Sequence, residues 1–332
     1  MAHELEIIDG KAQMFSANGI VPWHGLGTVI DDEAVRSSEA LTLAGLDWTV
    51  DKVPLAQEIG LDDEGNMVYD PIEGFYSMQR STDLKSVGVV GERYHGLNNV
   101  DAFAIGDDII SQKDGTHWVT AGSLKGGSVV WMLAELPNTI MISGMEDEAI
   151  KQNILIANSH DGSTAVSASI VDIRVVCNNT LTLALKGTPR TFKIRHTKNM
   201  SGKINEAKRV LGIADGYAKQ LQVVGTELIN AKFDNVAFEA FLESLAPTKG
   251  KDEGRSLTVA QNKQDDIRTI YKTAPDLQNI TGTKWGALQA VIDYNDHHIN
   301  SRGGSDAKKA ENRMHRILNL PNITHEAFAL LN

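Results

Sequence analysis

The chain has 332 residues, 42% hydrophobic and 23% charged, with a formal net charge of −11. That size and balance fit one large or two moderate globular domains and exclude a disordered chain. The net charge excludes a protein that coats nucleic acid with its whole surface, no stretch reaches the ~18 apolar residues of a membrane span, and the single cysteine excludes an intrachain disulfide or a zinc site of several thiolates.

The opening MAHELEIIDG is acidic and lacks a basic-then-apolar leader, so a cytoplasmic protein is expected. Trp23 and His24, flanked by Pro22, Gly25 and Gly27, read as a tight loop that packs an aromatic into the core. Glu33 to Gly45 reads as a helix closed by a C′ glycine. Trp48–Leu55 and Met67–Met78 read as strands of a hairpin around the turn Asp62-Asp63-Glu64-Gly65-Asn66. Val87 to Gly91 is a further strand, weakened by its glycines.

Asn98 or Asn99 caps a helix through Phe103 and Ile110. Trp118–Thr120 and Val129–Leu136 form a second hairpin across Leu124 to Ser128. The adjacent glycines there are turn punctuation, because the spacing of a phosphate-binding loop is absent. Ser159-His160-Asp161-Gly162-Ser163 reads as a turn, and Thr164 to Val171 alternates as a half-buried strand. Asn178 and Asn179 are good N-cap residues for a short helix from Thr180 to Lys186, ended by Gly187 and Pro189. Arg190 to His196 alternates again, with Phe192, Ile194 and His196 on one face and Thr191, Lys193 and Arg195 on the other.

From Ser201 the pattern changes to helix. Ile204, Ala207, Leu211, Ala214, Ala218, Leu221, Gly225 and Leu228 recur at spacings of three and four, a narrow apolar seam. Asn235–Leu245, Ile267–Tyr271, Gly282–His298 and Lys308–Leu318 read as further helices, with a polar loop over Pro247–Ser256. The expected fold is therefore α+β: a mixed, mainly antiparallel sheet with inserted helices over residues 1–200, and a helical portion over 201–332 packed on that core.

Charge is unevenly spread. Residues 1–110 hold 20 acids against 6 Lys and Arg, a net of −14, whereas residues 186–209 hold 8 Lys and Arg against Glu206 alone, a net of +7. A cationic stretch in an anionic chain points to an anionic partner. Lys193 and Arg195 on a strand face, flanked by Lys186, Arg190 and Lys198 and joined by Arg174, would neutralise successive phosphates. Tyr94 or Trp118 would then stack bases.

Five motifs occur in order: Trp23-His24-Gly25-Leu26-Gly27, Ser159 to Ser163 (SHDGS), Arg174 to Leu181 (RVVCNNTL), Arg195-His196-Thr197, and Gly282 to Ala287 (GTKWGA). Together they resemble the phage- and plasmid-associated family of proteins of unknown function. The resemblance spans most of the chain and implies a mobile-element origin, but it brings no catalytic residues. The mixed sheet with a basic strand is also similar to phage single-strand annealing proteins. That similarity implies an oligomer holding DNA in a cationic groove.

The leading expectation is a homo-oligomeric single-stranded DNA-binding protein of the bacterial host cytoplasm, active in annealing and recombination. It calls for no catalytic residue, no metal and no cofactor, and touches no membrane. Two alternatives stand beside it. One is a structural or interaction protein whose basic strand meets an acidic protein surface. The other is an enzyme: a metal-dependent nuclease or hydrolase using His160, Asp161 and His196, or a thiol enzyme using Cys177. Against the latter, Cys177 lies in a Val-Val-Cys run that suits a buried small hydrophobe.

Overall fold

A computed structural model describes residues 7–8, 11–12, 14–16, 28–29, 36–144, 148–163, 166–174, 179–181, 183, 190–193, 200–250, 254–299 and 323–332. The expected aromatic loop at Trp23-His24 and the expected helix at Lys308–Leu318 lie outside these residues. The fold is mixed α+β, with antiparallel sheets in the N-terminal half and helices in the C-terminal half. Among the described residues no helix is long and apolar enough to cross a membrane.

The chain forms two compact units that are each built from separate stretches: Met1–Ala134, Leu155–Ala168 and Phe192–Lys208 in the first; Glu135–Ile154, Ser169–Thr191 and Arg209–Asn332 in the second. A short pair β1 (Ile7–Ile8) and β2 (Lys11–Ala12) precedes β3 (Met14–Ser16) and β4 (Thr28–Val29). Helix α1 (Ser37–Leu43) leads to a three-stranded antiparallel sheet of β5 (Val50–Leu61), β6 (Met67–Arg80) and β7 (Ser86–Gly91). Helix α2 (Asn99–Ser111) follows, then the long strands β8 (His117–Leu124), β9 (Val129–Met141) and β10 (Ala149–Ser159). Short strands complete the second sheet: β11 (Ser167–Ile170), β12 (Asp172–Arg174), β13 (Asn179–Leu181) and β14 (Thr191–Lys193). Its order is β13-β12-β10-β9-β8-β3-β4, with β11 pairing both β10 and β14.

In the first unit, one carboxylate joins three elements. Asp107 of α2 accepts from the backbone and hydroxyl of Ser37, each at 2.7 Å, and from the Trp118 indole at 3.1 Å. Gly106 beside it is obligatory for packing, since a Cβ there would sit 2.2 Å from the Trp118 ring. Asn98 at the N-cap of α2 turns its side chain away from the helix and accepts from Val50 N at 3.0 Å, so it fastens the helix start to β5.

The β5–β6 hairpin runs well past its packed base. Its turn is the expected one: Asp62 accepts from the backbones of Glu64 and Asn66 at 2.9 and 2.8 Å. Yet between Ala56 and Phe75 only Val68 is partly covered; every other residue is exposed. Register shifts between Pro54 and Ala56 and between Glu58 and Gly60 bend this ribbon.

The expected helical portion consists of α3 (Met200–Asn230), α4 (Asn235–Leu245), α5 (Arg255–Thr273), α6 (Lys284–Asp293) and α7 (Ile323–Leu331). From Arg209 onward these helices belong to the second unit. Asp234 caps α4 by accepting from Ala237 N at 2.8 Å, and Thr283 caps α6 by accepting from Gly286 N at 3.0 Å. Almost every side chain of α6 is buried, and its Trp285 donates to the buried Glu148 carboxylate at 2.7 Å. A π-helical turn over Tyr294–His298 ends this element. Phe238 of α4 stacks on Tyr271 of α5 with ring centroids 4.0 Å apart.

Two expectations need correcting. Asn179 to Leu181 form strand β13, not the start of a helix, because pairing with β12 (Leu181 opposite Asp172) outweighs the local N-cap preference of asparagine. Helix α7 has no counterpart among the expected elements. It is held partly by Lys284, whose ammonium donates to Leu331 O at 2.6 Å.

Candidate nucleic-acid interface

The described part of the basic strand is β14. Thr191 and Lys193 are both exposed, as the period-two pattern requires of one outward face. Lys208, near the start of α3, is exposed as well. Arg174 closes β12 opposite Ile150. Lys186, Arg195 and Lys198 lie outside the described residues, as do Cys177 and His196.

Arg190 departs from the expected surface. It precedes the strand and is only 4% exposed. Its backbone oxygen accepts from Ile170 N at 2.8 Å, and its guanidinium donates to Ile170 O at 3.3 Å. Burial lowers the guanidinium from its ordinary value, opposed by Tyr217 and by Asp172, which is fully buried on β12. Burial in turn pushes the Asp172 carboxyl well above the usual carboxylate range, opposed by the Asn153 N–H that it accepts at 3.3 Å and by Arg190. Tyr217 of α3 completes this polar core, donating to Leu183 O at 2.9 Å, and burial raises its phenol far above the ordinary value. On α7, His325 is pushed down to about 4, by burial first and by the Arg190 charge second. Arg190 is thus an internal cation of the second unit, and it cannot reach a phosphate at the surface.

The Ser159–Ser163 turn is a second polar cluster, in the first unit. His160 is fully buried just after the end of β10. One ring nitrogen, Nε2, meets Asn99 Oδ1 at 3.0 Å, and the Asn99 amide donates to Leu46 O at 2.8 Å. The Trp48 ring lies 5.2 Å from the imidazole, centroid to centroid. Burial holds the imidazole down at about 4, only partly offset by the neighbouring Asp161 charge, so His160 is neutral near pH 7. The Nδ1 atom is buried and makes no hydrogen bond among the described residues. Asp161 points elsewhere, accepting from Ser163 N at 2.9 Å in the local turn.

Gly88 of β7 explains why that strand tolerates its glycines: a Cβ there would lie 2.5 Å from Asp161 Cα. The turn and β7 therefore touch backbone to backbone. Trp118 is fully buried and offers no face to a base, while Tyr94 is half-buried and donates to Ser159 O at 2.7 Å. Among the described residues no group of three His, Cys, Asp or Glu side chains is placed to hold a metal ion.

What these observations define is an α+β protein with buried polar clusters and one outward-facing cation on its described basic strand. The model of the family described as Domain of unknown function (DUF932) matches residues 86–318, more than half of the chain, and the chain belongs to that family. No curated protein and no solved structure matches it.

Proposed function

We propose that this protein binds single-stranded DNA through the basic segment 186–209, as a homo-oligomer of phage or plasmid origin working in the host cytoplasm, in annealing during recombination. The observation that carries the reading is the outward placement of Lys193 on β14 and of Lys208 on α3, within a segment of net charge +7. In a chain of net charge −11, binding of a polyanion has to be local, and this segment is where positive charge is concentrated. Arg190 is left out of the surface, so the segment works through its remaining cations. With Trp118 fully buried, affinity rests mainly on charge, and it falls steeply with salt.

The test is a fluorescence-anisotropy titration of labelled single- and double-stranded oligonucleotides at low and moderate salt, with and without a divalent metal. Salt-sensitive binding that prefers the single strand and leaves it intact is expected. Lys193→Glu with Lys208→Glu should weaken it and lower the salt slope by about 0.7 for each phosphate that is no longer neutralised. Absence of binding at low salt overturns the reading, and metal-dependent loss of the labelled strand replaces it with a nuclease.

A further inference from the structure

Two exposed surfaces of this chain combine apolar side chains with charge, and their charges are opposite. The first is the distal half of the β5–β6 ribbon. Leu61 pairs directly with Met67 and Glu58 with Tyr69, and strand alternation puts Pro71 and Glu73 on the same face as Met67 and Tyr69. Leu61 is 65% and Tyr69 60% exposed. A two-stranded hairpin in water gains little from its own pairing, so an apolar stripe on one is unfavourable unless something covers it. Residues 56–73 carry Glu58, Asp62, Asp63, Glu64, Asp70 and Glu73 and no Lys or Arg, so this stripe lies in a strongly anionic setting.

The second surface is in the second unit, where the end of α4 meets the start of α5. A groove of about 530 Å³ there is lined by Leu245, Ala246, Pro247 and Val259 together with Arg255 and Lys263. Arg255, Val259 and Lys263 follow one another at every fourth position of α5, so they form one stripe with an apolar centre and a cation at each end, about 12 Å apart. Val259 is 54% exposed, Arg255 is exposed and Lys263 partly so. Among the described residues neither cation forms an ion pair. Glu243 of α4 does not neutralise them by contact: it accepts from the Thr248 and Lys249 amides at 2.8 and 2.9 Å.

We propose that the ribbon of one copy docks in the α4–α5 groove of a second copy. Tyr69 and Leu61 cover Val259 and Pro247, while Glu58 and Glu73 pair with Arg255 and Lys263. Glu58, opposite Tyr69, and Glu73 stand about 13 Å apart along the extended ribbon, a spacing that matches the two cations of the helix. The contact joins different surfaces of the two molecules, so it is heterologous and propagates into a ring or a filament. It rests on the reading above only for the homo-oligomer, since it uses neither nucleic acid nor the segment 186–209.

Sedimentation velocity of the full chain, free of nucleic acid, tests this at low and high salt. Wild type is expected to assemble at low salt and to dissociate as salt rises. Leu61→Ser with Tyr69→Ser on the ribbon, and Arg255→Glu with Lys263→Glu on the groove, should each give a monomer whose thermal melt matches that of dilute wild type. Glu58→Lys with Glu73→Lys should do the same. Mixing this last variant with the groove variant should restore assembly, because each ribbon then faces a groove of opposite sign. A wild type that stays monomeric at low salt overturns the proposal, as does a mixture that fails to assemble. Assembly that survives the groove variant also overturns it, and would point to ribbons pairing with ribbons. Lys193→Glu with Lys208→Glu, the variant that tests DNA binding, should assemble as wild type does, so the two readings can fail independently; a monomer there would overturn the groove as the contact.

Discussion

Strand β10 and the β5–β6 ribbon are both long and extended, and their surroundings are opposite. From Gln152 to Ser159 every residue of β10 is buried, polar ones included. From Ala56 to Phe75 the ribbon is exposed on both faces apart from Val68. Both are extended strands, and the larger difference lies in the covering of their faces. In β10 buried side-chain amides donate to backbone oxygens of neighbouring elements: Gln152 to Ala214 O at 2.6 Å, and Asn158 to Leu97 O at 3.1 Å. The ribbon's polar groups are hydrated, and its apolar groups are the ones left uncovered. Stability is concentrated in the first kind of strand, and the capacity to bind something else in the second.

The strongest way to break that contrast is to cut into the buried strands. Trp131 of β9 is 2% exposed and fills the space left open by Gly122, where a Cβ would sit 2.8 Å from its ring. Trp131→Ala should cost roughly 3–5 kcal/mol by chemical denaturation. A loss below about 1 kcal/mol would mean that the core is not packed as described.

Next in size is a pH effect at the end of β10. His160 titrates at about 4 in the folded chain against 6.5 for the free side chain. The unfolded chain therefore takes up protons first, and the stability due to neutral His160 is fully present above about pH 6.5 and lost as pH falls towards 4. The loss should be on the order of 3 kcal/mol. Denaturant midpoints measured across this window should fall with pH in wild type, and the slope should flatten in His160→Gln. An equal slope in the two proteins would show that the histidine is not the titrating group. His325, half-buried, titrates in the same direction, so the flattening should be partial.

A smaller effect is expected at the contact between β7 and the turn. Gly88→Ala would place a methyl 2.5 Å from Asp161 Cα, so one backbone must move. A cost of about 1–3 kcal/mol is expected, read as a lowered thermal midpoint. Gly91→Ala, on the same strand with open space around it, is the control and should cost less.

Local chemistry makes much of this fold readable. The span Asn235–Leu245 and the Asp62–Asn66 turn follow from capping and turn residues acting within a few positions. What could not be read is set by tertiary pairing. Asn179 has the residue type of a helix cap, and β12, itself held in the sheet by β10, claims its backbone instead. Arg190 fits the alternating basic strand by position, but its side chain turns inward and its guanidinium donates to Ile170 O, a tertiary contact that no local pattern announces. Alternation in the β5–β6 hairpin is visible in the sequence, whereas its exposure on both faces is not. The one advance signal is six carboxylates among apolar residues without a balancing cation.

The smallest stability effect is the most informative about the ribbon. Tyr69→Ser removes a ring that is 60% exposed, sits opposite Glu58 across the strand pair, and leaves no cavity behind. The change in unfolding free energy should stay within about 0.5 kcal/mol, as for ordinary surface positions. If the ring served the fold, its removal would lower the thermal midpoint of the isolated monomer. If it serves docking, the midpoint is unchanged at protein concentrations too low for assembly and drops below wild type only where wild type associates, since association stabilises the folded state by mass action. A concentration-dependent midpoint in wild type that disappears in Tyr69→Ser would therefore separate the strand that holds the molecule together from the strand that holds molecules to one another.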